Sequence, residues 1–271
     1  MMNQALRTGR IATNNEELIK KILDEVGDAI KDVSMHHTPA QTGAVVYQKV
    51  KEVTGIEDPY KQIKADSIKE ALALYPKLMD YINDSDDKLL TAIRIAIAGN
   101  VVDFGINKKF DLEVDLEQIM EQEFAVFDYD EFRKQLSKVS SVLYIGDNAG
   151  ESVFDKILIE QLGVPVTYVV RGIPIINDVT HEDAINSGLG EVAEIISSGT
   201  TAPGTIMEFC TDDFIEMFEN ADMIISKGQG NYEGLSNVNR QVFFLLKAKC
   251  YIVASNLNVV EDDIVLKALI V

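Results

Sequence analysis

From residue 142 onward the chain keeps one rhythm, a short apolar run, a polar turn, then an amphipathic stretch, and few folds accommodate it. Segments 142–145, 152–162, 166–170, 182–187, 223–226, 239–248, 250–254 and 264–270 carry this alternation. Strands that alternate with helices have to be joined by crossovers, which produces a mostly parallel sheet covered by helices on both faces. Cys250 reads as the opening of an apolar strand, and the run Ile264 to Val271 as a closing strand.

The first third has a different texture. Leu18, Ile22, Val26 and Ile30 stand four apart within 15–32, one stripe of an amphipathic helix. Thr38 followed by Pro39 is a cap with proline at the first helical position, opening a helix that runs through Val53 and stops at Gly55. Asp58-Pro59 starts a third segment, and Ser67 and Glu70 have capping-box spacing ahead of Ala71 to Leu74. An apolar helix spans 89–97 after Ser85. Residues 111–122 are acid-rich and predict a surface helix or loop, and 130–138 a further amphipathic helix. The expectation is an α/β fold with an all-helical amino-terminal portion over 1–125 and an α/β, metal-binding portion over 126–271.

The chemistry gathers at the ends of three expected strands. Val142 to Ile145 leads into Gly146-Asp147-Asn148 and on to Glu151; Val166 to Val170 leads into Arg171 and then Asn177-Asp178; Met223 to Ser226 leads into Lys227-Gly228-Gln229-Gly230-Asn231. Open α/β sheets bind ligands beyond the carboxyl ends of their strands. The carboxylate of Asp147 and the amide oxygen of Asn148 are hard donors of the kind Mg²⁺ or Mn²⁺ prefers. Each residue also has a plainer reading. Gly146-Asp147-Asn148 is ordinary turn chemistry, Asp178 lies in the cap region of the helix after Thr180, and Lys227 is a loop lysine. Gly228 and Gly230 beside that lysine suit a backbone approaching an anion. Asn100 and Asp103, three apart after the 89–97 helix, are a helix terminus or part of a site.

Composition narrows the partners. The 271 residues carry 25 Lys and Arg against 44 Asp and Glu, a net charge of −19, which argues against nucleic acid and anionic membranes. A phosphorylated ligand would then need local positive charge. The two cysteines, Cys210 and Cys250, form neither a disulfide framework nor a metal pair, an expectation of a reducing cytoplasm. No apolar run approaches the roughly 20 residues of a membrane span, and the polar start, Met1 to Arg10, does not resemble a signal peptide. His36, His37 and His181 read as structural or solvated. Dinucleotide and P-loop glycine motifs are absent after the first strand, as is a Gly-x-Ser-x-Gly elbow. What remains is a metal site with a phosphate-sized anion pocket.

Four stretches in order, 98–105, 146–151, 171–180 and 227–231, make the chain resemble the metal-dependent damage-control phosphatases, long catalogued as a domain of unknown function, and their archaeal branch in particular. The resemblance spans nearly the whole chain. It implies a three-layer α/β/α, Rossmann-like core behind a helical amino-terminal portion, in agreement with the periodicity. It implies a divalent cation (Mn²⁺, Co²⁺, Ni²⁺ or Mg²⁺) on Asp147, Asn148 and Asp178, with Asp147, Asp178 and Lys227 catalytic. Asn100, Asp103, Glu151, Arg171, Asn177, Lys227, Gly228, Gly230 and Asn231 would bind substrate, a small phosphorylated metabolite such as a sugar phosphate. Archaeal relatives usually carry a Cys-x-x-Cys pair ahead of an Asn-Gln-Ala-Leu-Arg segment; here Met1-Met2 stand there instead. The attacking group stays open between water and an aspartate, and so does the oligomeric state. A methyl transfer from S-adenosylmethionine and a metal-binding scaffold without turnover are the competing readings.

Overall fold

The computed structural model describes residues 1–34, 37–99 and 120–269; Asn100 and Asp103 lie outside them. Helices α1 (Met2–Ala12), α2 (Glu16–Ala29), α3 (Pro39–Thr54), α4 (Lys61–Asp84) and α5 (Lys88–Gly99) come first. The expected caps form on α3: Thr38 and Gln41 make a reciprocal capping box, and Gly55 ends the helix in the left-handed conformation. The capping box at Ser67 does not. There α4 runs straight through, the Ser67 hydroxyl donates to the Ile63 carbonyl one turn back, and even Pro76 is carried inside the helix. The buried row Ile68, Ala71, Leu78 and Ile82 keeps α4 continuous because all of it packs into the main core.

Seven strands follow: β1 (Phe124–Phe127), β2 (Val142–Ile145), β3 (Val166–Val170), β4 (Glu194–Ser197), β5 (Ile224–Lys227), β6 (Val242–Lys247) and β7 (Ile264–Leu269). Their order is β1-β7-β6-β5-β2-β3-β4, and every pair is parallel except β6 with β7. Helices α6 (Tyr129–Leu136), α7 (Ser152–Leu162), α8 (His181–Asn186), α9 (Asp212–Asn220), α10 (Gly228–Leu235) and α11 (Tyr251–Leu257) connect them. One face of the sheet meets α4, α5 and α7 in the larger core, where Phe154, Ile157, Tyr168 and Ile225 interlock. The other face meets α9, α10 and α11 through Phe214, Leu235, Phe244 and Leu257. Helices α1, α2 and α3 hold a small core of their own around Ala5, Ile22 and Val46. The mostly parallel, two-faced sheet expected from the alternation is the fold observed.

Four elements differ from expectation. Residues 250–254 are the start of helix α11, not a strand. Cys250 is its N-cap, and Asn258 closes it in the left-handed conformation. The glycine-rich stretch after Lys227 is the first turn of α10, not a loop. Strands β1 and β4 also carried no strand signal, β4 because its burial pattern is half-exposed throughout, as suits the edge of the sheet.

Candidate active site

Strands β2, β3 and β4 progress one way across the sheet, and β5 and β6 the other, so the direction reverses between β2 and β5. At such a switch point the loops after neighbouring strands part and leave a crevice. The loops after β2 and β3 are stitched together along one side of it. The Ala149 amide donates to the Asn177 carbonyl and the Val179 amide to the Asp147 carbonyl, so Asn148 and Asp178 face each other as an isolated antiparallel bridge. Residues 30 apart in sequence are thereby fixed side by side by backbone alone.

Arg171, at the end of β3, crosses beneath them with its side chain fully buried. Its Nε donates to Asp178 Oδ2 at 2.6 Å, its Nη2 to Asn231 Oδ1 at 3.1 Å, and its Nη1 to Thr205 Oγ1 at 3.4 Å. Nη2 also stands 3.5 Å from Asp147 Oδ1. One guanidinium therefore ties the aspartates of two loops to helix α10. Asn231, on the first turn of α10, donates to the carbonyls of Gly146 and Lys227 at 2.9 and 2.7 Å. Gly230 packs against Gly204, whose amide donates to Asp178 Oδ2 at 3.2 Å. Gly228 has φ +79°, and a Cβ there would lie 1.9 Å from Asp147 Oδ2. Only a residue without a side chain lets α10 begin against that carboxylate.

Lys227, the last residue of β5, is also fully buried. Its Nζ lies 2.7 Å from Asp155 Oδ1 and 3.2 Å from Glu151 Oε2. Asp155 takes two further hydrogen bonds, from the hydroxyls of Tyr144 and Tyr168, each at 2.8 Å. Burial, reinforced by the Asp155 charge, holds both phenols well above their ordinary range and keeps them donors. Asn148 closes the network by donating its amide to Glu151 and to Asp147.

Among the described residues, Asp147, Glu151, Asp155 and Asp178 are buried here together with Arg171 and Lys227. Burial acts on the titration of Asp147, Asp155, Asp178 and Lys227. Burial, then the charges of Glu151 and Asp178, pushes the Asp147 carboxyl up to about 8. Burial also raises Asp178 against the pull of Arg171, and raises Asp155 against that of Lys227. For Lys227 burial works downward, but Asp155 and Glu151 outweigh it and the ammonium is held above its usual range.

The donor set fits a hard divalent cation. Two carboxylates and an amide oxygen, Asp147, Asp178 and Asn148, match an ion that keeps several waters and takes one or two carboxylates. Among the described residues no group of three or more His, Cys, Asp and Glu is arranged to hold a metal ion.

Of the expected residues, Asp147, Asn148, Glu151, Arg171, Asp178, Lys227, Gly228 and Asn231 converge. Asn177 contributes its main-chain carbonyl to the stitching. Asp155, Tyr144, Tyr168 and Thr205 were not foreseen. Asp155 had a signal: it stands four residues after Glu151, on the same helical face, in a helix otherwise apolar toward the sheet. Thr205 had none, since the segment that brings it in follows no periodic pattern.

Residues 1–265 match the family model of the damage-control phosphatase ARMT1-like domain. The chain is 34% identical to a damage-control phosphatase of Pyrococcus horikoshii, over 98% of this chain and 94% of that one. It is 33% identical to a damage-control phosphatase of Archaeoglobus fulgidus, over 98% and 96%. An uncharacterised protein of Methanocaldococcus jannaschii is 34% identical over 98% and 92%. The crystal structure of a DUF89-family protein from P. horikoshii superposes with a TM-score of 0.90 at 32% identity, covering 98% of this chain and 94% of that one. On these matches over nearly its whole length, the chain belongs to the damage-control phosphatase ARMT1-like family.

Proposed function

We propose that this protein is a divalent-metal-dependent phosphomonoester hydrolase acting on small phosphorylated metabolites, sugar phosphates among them. The observation that carries the proposal is the convergence at the switch-point crevice of the buried carboxylates of Asp147 and Asp178, both facing Arg171, with Asn148 bridged to Asp178. Burying carboxylates costs stability unless cations face them, and a divalent cation bound there would also create a phosphate site.

Asp147, Asp178 and the amide oxygen of Asn148 would hold the ion, with Mn²⁺, Co²⁺, Ni²⁺ and Mg²⁺ as candidates. When bound, the ion supplies Lewis-acid charge to the phosphoryl oxygens. The chain's own residues do the positioning that phosphoryl transfer chiefly requires. Arg171 fixes Asp178 and reaches Asp147, so the two carboxylates keep their separation as the ester arrives. Lys227 spends two of its three N–H donors on Asp155 and Glu151, and the third serves a phosphoryl oxygen. The amides at the start of α10, Gly228 to Gly230, offer further donors at a helix amino terminus. Glu151, anchored by Lys227 and Asn148, would orient a water. Hydrolysis then transfers the phosphoryl group to that water and its proton to the departing alcohol.

Among the described residues no helix is long and apolar enough to cross a membrane, and Cys210 and Cys250 are free thiols; a cytoplasmic setting belongs to the same proposal. The test is phosphate release from a panel of phosphorylated sugars and cofactor fragments with each metal and with chelator. Release that requires the metal supports the proposal. Silence across the panel from protein shown to hold metal overturns it in favour of the scaffold.

A further inference from the structure

A cleft of about 610 Å³ opens between α3, the turn before α4 and the loop that joins Arg171 to Asp178. We infer that this cleft receives the organic body of the substrate, and that the preferred esters carry an apolar or aromatic ring system rather than a bare sugar. The inference rests on the hydrolase reading for the fate of the phosphate and on the cleft for the identity of the body.

The cleft and the crevice share a wall. Ile173 to Ile176 line the cleft, and the same loop ends in Asn177 and Asp178. The Asp178 amide donates to the Ile175 carbonyl at 3.0 Å, so the segment that lines the cleft turns directly into the carboxylate. Thr201, also in the lining, belongs to the strip that reaches Asp178 through the Gly204 amide. Across the cleft, the Tyr47 phenol is raised by burial and by Tyr60, and it feels the Asp178 charge as well. The wall is a built feature. Ile176 sits at φ 45°, a conformation that a β-branched residue adopts only when its surroundings impose it.

The lining says what would fit. Its volume falls within the roughly 300–1,000 Å³ of small-molecule pockets, far more room than a phosphate needs. Ala44, Val50, Ile173 and Ile176 supply aliphatic surface. Tyr47 and Tyr60 add rings to that surface, their hydroxyls already engaged by Gln4 and Thr8. A bare sugar would leave this apolar surface uncovered. At the rim Glu52, Glu57 and Asp58 are each paired with a lysine, Lys49, Lys51 and Lys64, whereas Lys227 and the start of α10 are the donors placed for the phosphate in the hydrolase reading, which leaves the isoleucines to the body.

The experiment uses the full chain with Mn²⁺ and two probes, 2-naphthyl phosphate and glycerol phosphate, with 2-naphthylphosphonate and methylphosphonate for binding by calorimetry. The wild type should show kcat/KM at least tenfold higher for the naphthyl ester. Ala44→Phe, which fills the cleft from α3, should raise KM for that ester and weaken naphthylphosphonate binding by tenfold or more, with glycerol phosphate and methylphosphonate changed less than twofold. Ile173→Ser, at an exposed position, should act in the same direction more weakly and guards against misfolding of the first variant. Equal turnover of both esters, or variants that weaken both phosphonates alike, would overturn the cleft assignment. If neither ester is cleaved but naphthylphosphonate binds and Ala44→Phe blocks it, the cleft stands and the hydrolase reading falls.

Discussion

Replacing Gly228 by alanine separates the backbone cost of a left-handed residue from damage to the metal site. Gly228 (φ +79°) and Gly163 (φ +71°) are both left-handed, but a Cβ at Gly163 meets nothing within 4 Å, whereas at Gly228 it would lie 1.9 Å from Asp147 Oδ2 and 2.4 Å from Cγ. The conformational cost of alanine is about 1–2 kcal/mol at either position, or a fall in Tm of about 2–8 °C for a chain of this size. At Gly228 the Asp147 carboxylate must also withdraw by about 1.5 Å to reach ordinary contact. Metal ligands tolerate about 0.2 Å, so Asp147 would be lost as a donor, and Mn²⁺ affinity should fall by about 100-fold or more. Calorimetric Mn²⁺ titration and thermal melting of Gly163→Ala and Gly228→Ala read the two effects separately. The reasoning is refuted if Gly228→Ala binds Mn²⁺ as the wild type does, or if the two variants behave alike.

Three further outcomes follow from the same charges. Asp147 keeps its proton in the folded state up to about pH 8, whereas the unfolded chain releases it near the ordinary value of about 4. The folded state therefore holds the extra proton between those limits, so stability of the metal-free protein should fall as pH rises from about 4 to about 8. Mn²⁺ should reverse this trend and bind more tightly toward pH 8; melts across that window with and without the ion check it, and a flat metal-free profile contradicts it. Lys227→Met strands the buried carboxylates of Asp155 and Glu151 and should cost about 3–5 kcal/mol in urea denaturation. Lys64, buried between Asp58 at 2.8 Å and Asp183 at 2.6 Å, fastens α4 to α8; Lys64→Met should cost about 3 kcal/mol and expose the 55–60 turn to proteolysis, and unchanged resistance would exclude that role.

The residues that were legible in the sequence are those whose role is imposed locally. Thr38-Pro39 and Gly55 mark the ends of α3 because capping is a matter of a few neighbouring atoms. The polar ends of β2, β3 and β5 stood out because each follows a short apolar run that has to be buried. The misreadings come from context that only the assembled fold supplies. Tyr251-Ile252-Val253 has strand composition, yet Tyr251 and Ile252 are among the most exposed apolar residues, and a helix lets them be so while Val253 and Leu257 stay inside. Gly228 and Gly230 suggested a loop, but α10 needs them to begin against Asp147 and Gly204. Ser67 had a cap's spacing, but burial of one continuous stripe on α4 overrode it. The convergence of Arg171 with Asn231, 60 residues later, depends on β2 lying between β3 and β5, an order that no local pattern encodes.

The proposal stands on Asp147, Asn148 and Asp178 holding one divalent ion that turnover needs. Mn²⁺ stoichiometry, measured alongside phosphate release for the wild type and Asp147→Ala, tests it most directly. The account predicts one Mn²⁺ per wild-type chain, release abolished by chelator and restored by the ion, and neither binding nor release in the variant. An Asp147→Ala protein that retains both the ion and its turnover would contradict it.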